Sequence, residues 1–228
     1  MTVYERALEF VRDGATIGLG SGRAASEFIK LLGAKVRSGL RVRCVPTSRK
    51  SADLAVSLGI PLVSLEEAMP LDLAVDGADE CDPNLDLIKG FGRALVREKI
   101  VASAAKTFII LLGNKPPDEV KDVPVLGTRG KLPVEIVPFA LPLARIRLSE
   151  LGCDPILWMK DGQPGVTDNG NHILDCGIKP IADAVAFQAR LKAIPGVVDT
   201  GLFLGMANVV LSGDENFNLV SEKTRNSP

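Results

Sequence analysis

The alternation of short apolar runs with amphipathic segments constrains the fold of this chain more than any other feature. From Val3 to about Gly113, runs rich in Val, Ile and Leu are separated by segments of helical periodicity. Buried strands that alternate with helices are typical of an α/β domain with a largely parallel sheet. The pattern predicts helices over 3–12, 24–36, 48–58 and 93–105 and strands over 15–19, 41–45, 60–64, 71–76 and 107–112.

A second pattern follows the proline-containing stretch GNKPPDEVKDVP (113–124), which we interpret as a connection between domains. The order of elements after it is β-α-β-β-α-β, as in a ferredoxin-like fold, and KDGQPG suits the hairpin between its middle strands. The predicted elements are strand 132–137, helix 139–152, strands 155–160 and 171–176, helix 181–193 and strand 196–203.

These two patterns predict two domains. We expect a Rossmann-like catalytic domain over 1–123 and 204–228, to which a last apolar strand, Val209 to Leu211, returns. A smaller ferredoxin-like α+β domain is expected over 124–203. The 46% hydrophobic content of the 228 residues is enough apolar material for one large core or two modest ones.

Composition argues against several classes of function. The net charge of −1, without a basic patch, argues against nucleic acid as a partner. No segment approaches the roughly 18 to 20 apolar residues of a membrane span, and the N-terminus lacks an export signal, so we expect a cytoplasmic protein without a membrane partner. The scattered cysteines contain no C-x-x-C pair, which argues against a zinc site or a disulfide framework; they are Cys44, Cys81, Cys153 and Cys176.

The single histidine, His172, further limits the chemistry. One histidine cannot form a multi-histidine metal site, and we expect a structural role for it. Carboxylate or lysine chemistry without a metal is therefore the expectation for an enzyme.

The stretch IGLGSGRAASEF (17–28) reads as a strand that turns sharply into a helix. A dinucleotide loop needs a third glycine where Arg23 stands, and an acid about 20 residues on, where the chain reads Arg41-Val42-Arg43. We therefore do not expect NAD. Backbone N–H groups at a helix start bind phosphate, and Ser21 and Arg23 add donors. The alternative is a tight turn that holds no ligand.

Two further strand ends carry polar residues. In PTSRKSADLA (46–55), Thr47 and Ser48 are expected helix caps. In DLAVDGADE (72–80), the carboxylates of Asp76 and Asp79 follow a strand whose carboxyl end is where open α/β sheets bind ligands. Crowded carboxylates suit proton transfer or a divalent cation, and the residues alone leave both open. We interpret Glu80 as an ordinary loop acid.

The stretch IKGFGRALVREK (88–99) is a second glycine turn into a helix. Lys89 precedes the turn, and Glu98 lies in the helix that follows. Backbone N–H groups beside a lysine would stabilise an oxyanion, and a nearby carboxylate could take a proton. A lone glutamate on a helix is more often solvated, so the interpretation of Glu98 depends on its neighbours.

Taken in order, these stretches resemble ribose-5-phosphate isomerase of the A type over nearly the whole chain. The matching motifs are GLGSG, PTS, DGADE, LIKG-G-ALVREKIVA, LPVEIVP, VTDNGN-ILD and IPGVVDTGLF. The most specific of them is DGADE followed by KG and REK at this spacing.

The resemblance implies interconversion of ribose 5-phosphate and ribulose 5-phosphate through an enediolate, without a metal or an organic cofactor. It implies that Glu98 moves a proton between carbons 2 and 1, and that Asp76 and Asp79 handle hydroxyl protons and ring opening. Lys89 would stabilise charged oxygens. The implied substrate-binding residues are Ser21, Gly22, Arg23, Ala24, Gly77, Ala78, Gly90, Phe91, Gly92 and Lys115. The resemblance also suggests a homodimer or homotetramer.

The chain departs from the family pattern in its two loops. The phosphate loop usually reads G-T-G-S-T, and Arg23 and Ala24 replace its last two hydroxyl residues. A guanidinium can bind phosphate through two hydrogen bonds, which would change the geometry of the grip. Phe91 and Arg93 interrupt the glycines after the family's lysine, and a positive φ at position 91 would disfavour phenylalanine. Lys115 is the nearest match to a phosphate-binding lysine, and the family's N-terminal lysine has no counterpart here.

These departures leave two alternatives beside ribose-5-phosphate isomerase. One is an isomerase of another sugar phosphate, and the other is a sugar-phosphate-binding sensor without catalysis. The presence of Asp76, Asp79, Lys89 and Glu98 favours catalysis, because a sensor needs no base.

Overall fold

The computed structural model describes residues 1–114 and 121–225 of the chain. Its contacts form two compact units. The first unit contains Met1–Ala78, Arg97–Asp122 and Gly205–Pro228, and the second contains Asp79–Val96 and Val123–Leu204. The segment 79–96, which the sequence analysis assigned to the first domain, makes its contacts within the second unit.

The described residues form both α-helices and β-strands. The helices are α1 (Val3–Leu8), α2 (Arg23–Arg37), α3 (Arg49–Ser57), α4 (Leu65–Ala68), α5 (Leu95–Ser103), α6 (Leu141–Glu150) and α7 (Ala184–Lys192). The strands are β1 (Ala15–Leu19), β2 (Val42–Pro46), β3 (Leu71–Gly77), β4 (Glu80–Cys81), β5 (Leu87–Ile88), β6 (Ala105–Gly113), β7 (Lys131–Ile136), β8 (Asp154–Leu157), β9 (Met159–Lys160), β10 (Gln163–Pro164), β11 (His172–Gly177), β12 (Val197–Thr200), β13 (Leu202–Phe203), β14 (Val209–Gly213) and β15 (Leu219–Thr224).

The first unit is built on a sheet with the strand order β15-β14-β6-β3-β1-β2. All neighbours in it pair in parallel except β14 and β15. Fully buried side chains such as Phe28 on α2 and Ile17 on β1 form its core. The predicted α/β class with a mostly parallel sheet is confirmed, and β14 returns to this sheet as expected from the apolar run at 209–211.

The second unit contains a four-stranded antiparallel sheet with the order β12-β7-β11-β8. Numbered along the chain, these strands have the order 4-1-3-2, with α6 after the first and α7 before the last, as a ferredoxin-like fold requires. The turn KDGQPG joins β9 and β10, where Asp161 and Gly162 have positive φ angles of 51° and 77°. Positive φ at both central residues is the requirement of a two-residue hairpin turn of type I′.

Some predicted elements differ from those of the structure. The predicted strand 60–64 is wrong, because only Leu62 pairs there, through an isolated bridge to Cys44. The helix predicted over 3–12 ends at Leu8, and the one predicted over 93–105 begins at Leu95 because Arg93 has a positive φ. The strand predicted over 155–160 is divided at Trp158.

Other elements were not predicted. The short α4 begins with a capping box formed by Ser64 and Glu67. The edge strand β15 has mostly exposed side chains, so it lacks the apolar run that marks the other strands of its sheet. Within the described ranges, no helix is long and apolar enough to cross a membrane.

Candidate active site

The strand order of the first unit reverses direction at one defined position. From β1 the chain continues to β2 on one side, while β3 lies on the other side of β1. Open α/β sheets bind ligands at the carboxyl ends of strands where the order reverses in this way. The segment after β1 (Gly20–Arg23, of which Arg23 is the first residue of α2) and the end of β3 (Asp76, Gly77) lie at this position.

Gly20 and Asp76 approach each other too closely for any side chain at position 20. A Cβ atom on Gly20 would lie 2.2 Å from the Asp76 carboxyl carbon. Asp76 is 2% exposed, and its Oδ1 accepts hydrogen bonds from the Ser21 N–H at 3.0 Å and the Gly77 N–H at 2.7 Å. Because these donors and the burial restrict its motion, the carboxylate has a defined orientation at the end of β3.

Four hydroxyl groups meet beside this loop. Ser21 Oγ lies 2.8 Å from Thr47 Oγ1, 2.7 Å from Ser48 Oγ and 3.1 Å from Ser51 Oγ. Thr47 and Ser51 also donate to the carbonyls of Leu19 and Gly20, which ties α3 to the end of β1. This hydroxyl cluster (Ser21, Thr47, Ser48, Ser51) joins the loop after β1 to the start of α3.

The sequence analysis identified only part of this cluster. It assigned Ser21 to a ligand loop but treated Thr47 and Ser48 only as helix caps, and it did not single out Ser51. Ser48 does cap α3, because its Oγ accepts from the Ser51 N–H. The available signal was that PTS, like GLGSG, follows a predicted strand and precedes a predicted helix.

The N-terminus of α2 completes the loop. Gly22 precedes the helix with a φ of 96°, and no side chain caps this end. Since the first N–H groups of a helix have no intrahelical acceptors, such an end favours anions. Arg23 is exposed, with its guanidinium 5.6 Å from the centre of the Phe217 ring. Ala24 packs on the end of β3, where a Cβ on Gly77 would lie 3.5 Å away.

Glu98 lies in the first turn of α5 and is 4% exposed. Three residues later on the same helical face, Val101 packs against β1, where a Cβ on Gly18 would lie 2.4 Å from Val101 Cγ1. The missing side chain at Gly18 therefore allows α5 to approach the sheet closely. A helix that precedes a parallel strand runs opposite to it, so its first turn lies towards the carboxyl ends of the strands.

In the second unit, Lys89 precedes the second glycine loop. It is 2% exposed, its N–H donates to the Gly201 carbonyl at 2.8 Å, and its Nζ lies 5.3 Å from the centre of the Phe203 ring. A Cβ on Gly201 would lie 2.3 Å from the Lys89 carbonyl oxygen, so the two backbones pass in close contact. Lys89 is thus a buried cation beside the Phe203 ring, and its backbone contact with Gly201 fixes its position.

Asp79 also belongs to the second unit. Its N–H donates to the Ile88 carbonyl, and its Oδ2 accepts a hydrogen bond of 3.0 Å from the Phe91 N–H. Arg129 donates to the Asp79 carbonyl oxygen at 2.9 Å. The loop after Lys89 therefore binds a carboxylate through its backbone, the kind of contact expected for an oxyanion.

Glu80 is a structural residue rather than the ordinary loop acid expected from the sequence. It is fully buried, and its two oxygens accept hydrogen bonds from the N–H groups of Gly127 at 2.6 Å and Arg129 at 2.8 Å. Burial raises the pKa of Glu80 above its usual range, although these hydrogen bonds oppose the shift. The carboxyl group thus holds the turn before β7.

The remaining expected residues are distributed as follows. Ala78 is the last residue of the first of three stretches that form the first unit, and it is buried, whereas Gly90, Phe91 and Gly92 form the loop of the second unit. Positive φ occurs at Gly90 (100°) and Arg93 (71°), not at Phe91, so the backbone strain considered for Phe91 does not arise. Lys115 lies outside the described residues.

Two further expectations concern His172 and metal ions. The His172 ring Nδ1 lies 2.9 Å from the Gly165 carbonyl oxygen at the start of β11, a contact within the framework of the second unit. In the part of the chain that the structure describes, no group of three or more His, Cys, Asp or Glu residues is arranged to hold a metal ion.

Comparison with known proteins identifies relatives over nearly the whole chain. The family model described as ribose 5-phosphate isomerase A (phosphoriboisomerase A) matches residues 43–216. The chain is 50% identical over 215 residues to ribose-5-phosphate isomerase A of Roseiflexus castenholzii, with 92% of this chain and 90% of the relative covered. It is 48% identical to the Bacillus mycoides protein of the same name, covering 93% and 94% of the two chains.

Solved structures agree with these relatives. Ribose 5-phosphate isomerase A from Methanocaldococcus jannaschii is similar with a TM-score of 0.88 at 37% identity, covering 98% of this chain and 96% of the other. A D-ribose-5-phosphate isomerase in complex with phospho-erythronic acid is similar with a TM-score of 0.89 at 39% identity, covering 97% and 96%.

Proposed function

The chain belongs to the ribose 5-phosphate isomerase A family, and from this membership we propose which of its residues carry the reaction. The reaction interconverts D-ribose 5-phosphate and D-ribulose 5-phosphate. An aldose becomes a ketose when a proton moves from carbon 2 to carbon 1 and a hydroxyl proton moves from oxygen 2 to oxygen 1. The enzyme therefore needs a base for carbon and groups that handle protons on oxygen.

Glu98 is the proposed base. Its carboxylate takes the proton from carbon 2 of the open-chain aldose, giving an enediolate, and returns it to carbon 1. Burial supports this role, because a site from which bulk water is excluded protects the enediolate from side reactions. The observation that carries the assignment is a 4% exposed glutamate in the first turn of a helix that packs on the sheet through Gly18.

Asp76, Asp79 and Lys89 are proposed to act on the oxygens. Asp76 and Asp79 move hydroxyl protons and open the sugar ring, and the Lys89 ammonium stabilises the negative charge of the enediolate. Backbone N–H donors support both carboxylates, from Ser21 to Asp76 and from Phe91 to Asp79. Because these N–H donors are already in place before the reaction, the two carboxylates need no reorganisation while it proceeds.

The loop of the first unit is the proposed phosphate site. Ser21 and the backbone N–H groups at the start of α2 donate hydrogen bonds to the phosphate. Gly22 allows the turn, the small side chain of Ala24 leaves room for the phosphate, and Arg23 adds a positive charge. By family resemblance, Lys115 contributes a second cation. The remaining proposed substrate contacts come from the backbone of the two other loops, at Gly77, Ala78, Gly90, Phe91 and Gly92.

The bound molecule of one relative is consistent with this mechanism. Phospho-erythronic acid, present in the 39% identical structure, carries a carboxylate next to a hydroxyl-bearing carbon and a phosphate at its other end. A planar carboxylate resembles the planar enediolate, and transition-state-like molecules bind more tightly than substrates do. We expect this chain to bind the same acid.

Turnover and binding together test the proposed base. Wild-type protein should convert ribose 5-phosphate to the ketose, and Glu98→Gln should lower kcat by about 100- to 10,000-fold, the usual contribution of a positioned base. Titration calorimetry should show that Glu98→Gln still binds phospho-erythronic acid. Equal turnover by the variant would remove Glu98 from the mechanism, and the absence of turnover by the wild type would contradict the isomerase function.

We also propose that the protein is a cytoplasmic homo-oligomer. Phe139 is 96% exposed and Ile146 on α6 is 58% exposed, and we propose that a second copy of the chain covers these two apolar side chains. All four cysteines are buried and free, which suits a reducing compartment. Light scattering should give a dimer or tetramer that Ile146→Lys weakens; a monomer at micromolar concentration would contradict the proposal.

A further inference from the structure

Arg93 has a backbone conformation that arginine disfavours. Its φ is 71°, in the left-handed region that suits glycine because a Cβ atom clashes with the backbone there. The Arg93 N–H donates to the Gly90 carbonyl at 2.9 Å, which closes the turn between the two residues of positive φ. A side chain at such a position persists when surrounding contacts hold it.

Asp175 on β11 holds the Arg93 guanidinium. Arg93 Nη1 and Nη2 donate to Asp175 Oδ1 at 2.5 Å and Oδ2 at 2.8 Å, a parallel pair that fixes both the direction and the plane of the group. Both side chains are only about one-fifth exposed, at 19% and 20%. Arg93 also lies 5.1 Å from the centre of the Trp158 ring.

The charge state of Asp175 agrees with this geometry. Burial raises the pKa of Asp175, but the hydrogen bonds and charge of Arg93, together with Lys131, outweigh burial and hold the pKa below its usual range. The carboxylate therefore remains ionised, and the pair remains closed, throughout the neutral pH range.

The Arg93 loop connects this ion pair to Asp79. The Phe91 N–H donates to Asp79 Oδ2 at 3.0 Å, and Lys131 Nζ lies 4.5 Å from the centre of the Phe91 ring. Lys131 in turn binds Asp175 Oδ2 at 3.1 Å. A closed ring of contacts thus runs from Asp175 through Arg93, the loop backbone and Phe91, and returns through Lys131.

We propose that Arg93 and Asp175 form a positioning pair that holds the loop so that the Phe91 N–H points at the Asp79 carboxylate. Neither residue is assigned a contact with the substrate. They act through Phe91, whose hydrogen bond orients Asp79 for its work on the sugar hydroxyls, so the inference rests on the role proposed for Asp79. A misplacement of about 1 Å in such a group can lower a rate about 100-fold.

Enzyme kinetics distinguish positioning from simple stabilisation. Arg93→Gly permits the same backbone conformation while it removes the ion pair, and Asp175→Asn removes the charge from the other side. Each variant should lower kcat about 10- to 100-fold, with KM for ribose 5-phosphate changed by less than about twofold. The double variant should be no slower than the slower single variant, since the pair acts as one device.

Arg147→Ala provides the matched control. Arg147 forms an ion pair with Glu150 at 2.9 Å in the same unit, about half-exposed on α6 and with no part in the loop. Its removal should leave kcat unchanged. Arg93→Asn is a second test variant, because asparagine tolerates positive φ but cannot form the parallel pair. Thermal unfolding of all variants identifies any loss of kcat caused by unfolding.

Amide hydrogen exchange at Phe91 provides a readout independent of turnover. Exchange should be faster in Arg93→Gly and Asp175→Asn than in the wild type, and unchanged in Arg147→Ala. If the wild type turns over and the Arg93 and Asp175 variants keep its kcat, the positioning role is overturned while the isomerase assignment stands. If the wild type shows no turnover, the proposed function fails. Amide exchange then tests by itself whether the Arg93–Asp175 pair holds the Phe91 N–H in place, and exchange at Phe91 that is unchanged in both variants overturns that statement.

Discussion

The loop Gly20–Arg23 of the first unit and the loop Lys89–Arg93 of the second both leave a strand and precede a helix. The first loop needs a glycine because its backbone passes against a carboxylate, where a Cβ on Gly20 would lie 2.2 Å from Asp76. The second loop accepts arginine at a positive φ of 71°, because Asp175 and Trp158 hold that side chain. One loop is shaped by excluded volume and the other by side-chain contacts.

This difference explains why similar motifs tolerate different changes. Where the backbone lies in contact with a carboxylate, even an added methyl group displaces one of the two. Where contacts hold a disfavoured conformation, the residue type can change provided that a partner compensates. The departures of this chain from its family fall at Arg23 and Ala24 around the helix start and at Phe91 and Arg93 in the second loop, not at Gly20.

The largest expected effect is that of Gly20→Ala. Its methyl group would overlap the Asp76 carboxylate, so we expect a loss of about 3 kcal/mol in the free energy of unfolding, at the upper end for overpacking. We also expect kcat/KM to fall by about 100-fold or more, because Asp76 must move. Denaturant unfolding and steady-state kinetics measure both.

Gly92→Ala is the matched control for stability. A Cβ at this position meets no atom within 4 Å, and its φ is not in the positive region. Its free energy of unfolding should stay within about 0.5 kcal/mol of the wild type. If Gly20→Ala were as stable as Gly92→Ala, excluded volume would not explain the first loop.

A smaller effect is expected from Arg23→Ala. Removing a phosphate anchor removes binding energy common to substrate and transition state, so KM should rise about tenfold while kcat changes by less than about twofold. Lys30→Ala, which breaks an exposed ion pair with Glu27 on the same helix, should leave KM unchanged. An unaltered KM in Arg23→Ala would exclude Arg23 from the phosphate site.

The two units should also differ in how pH affects stability. Burial raises the pKa of Glu80 in the second unit, so its native form binds the proton more tightly than the unfolded chain does. The contribution of the Glu80 carboxyl group to the free energy of unfolding is fully present below about pH 4.5 and falls as the pH rises through the raised pKa. Glu80→Gln should flatten this part of the curve of unfolding free energy against pH. An unchanged slope would contradict the prediction.

For Asp72 in the first unit, the free energy of unfolding should depend on pH in the opposite direction. Hydrogen bonds from the Thr16 backbone and from Lys106 lower the pKa of Asp72 below 3.8. Its contribution is present above about pH 3.8 and is lost as pH falls through the lowered pKa. Because Asp72 is nearly half-exposed, the effect is the smallest of the series. Asp72→Asn should reduce the loss of stability in acid.

The sequence was sufficient to predict elements whose signal is local. Strand 15–19 was predicted with the bounds that β1 has, because a continuous apolar run ends at a glycine turn. The position of Asp76 at the end of a parallel strand followed from the same kind of pattern. The strand predicted over 60–64 failed because a short apolar run does not determine whether it finds a pairing partner.

Contacts between distant residues could not be predicted in this way. The hydroxyl cluster joins Ser21 to residues 26 to 30 positions away, and it depends on β2 lying beside β1. Arg93 and Asp175 are 82 positions apart, and nothing in either local pattern links them. The sequence showed where Arg93 departs from its family, and only the structure showed the partner that holds it.

Deuterium transfer tests the central claim, proton transfer by Glu98, most directly. Ribose 5-phosphate should be converted in deuterated water and the ketose followed by NMR. Because a base that exchanges its proton with solvent delivers deuterium, the wild type should place carbon-bound deuterium at carbon 1, and Glu98→Gln should do so about 100- to 10,000-fold more slowly. Equal deuterium incorporation by wild type and Glu98→Gln would contradict the mechanism proposed for this chain.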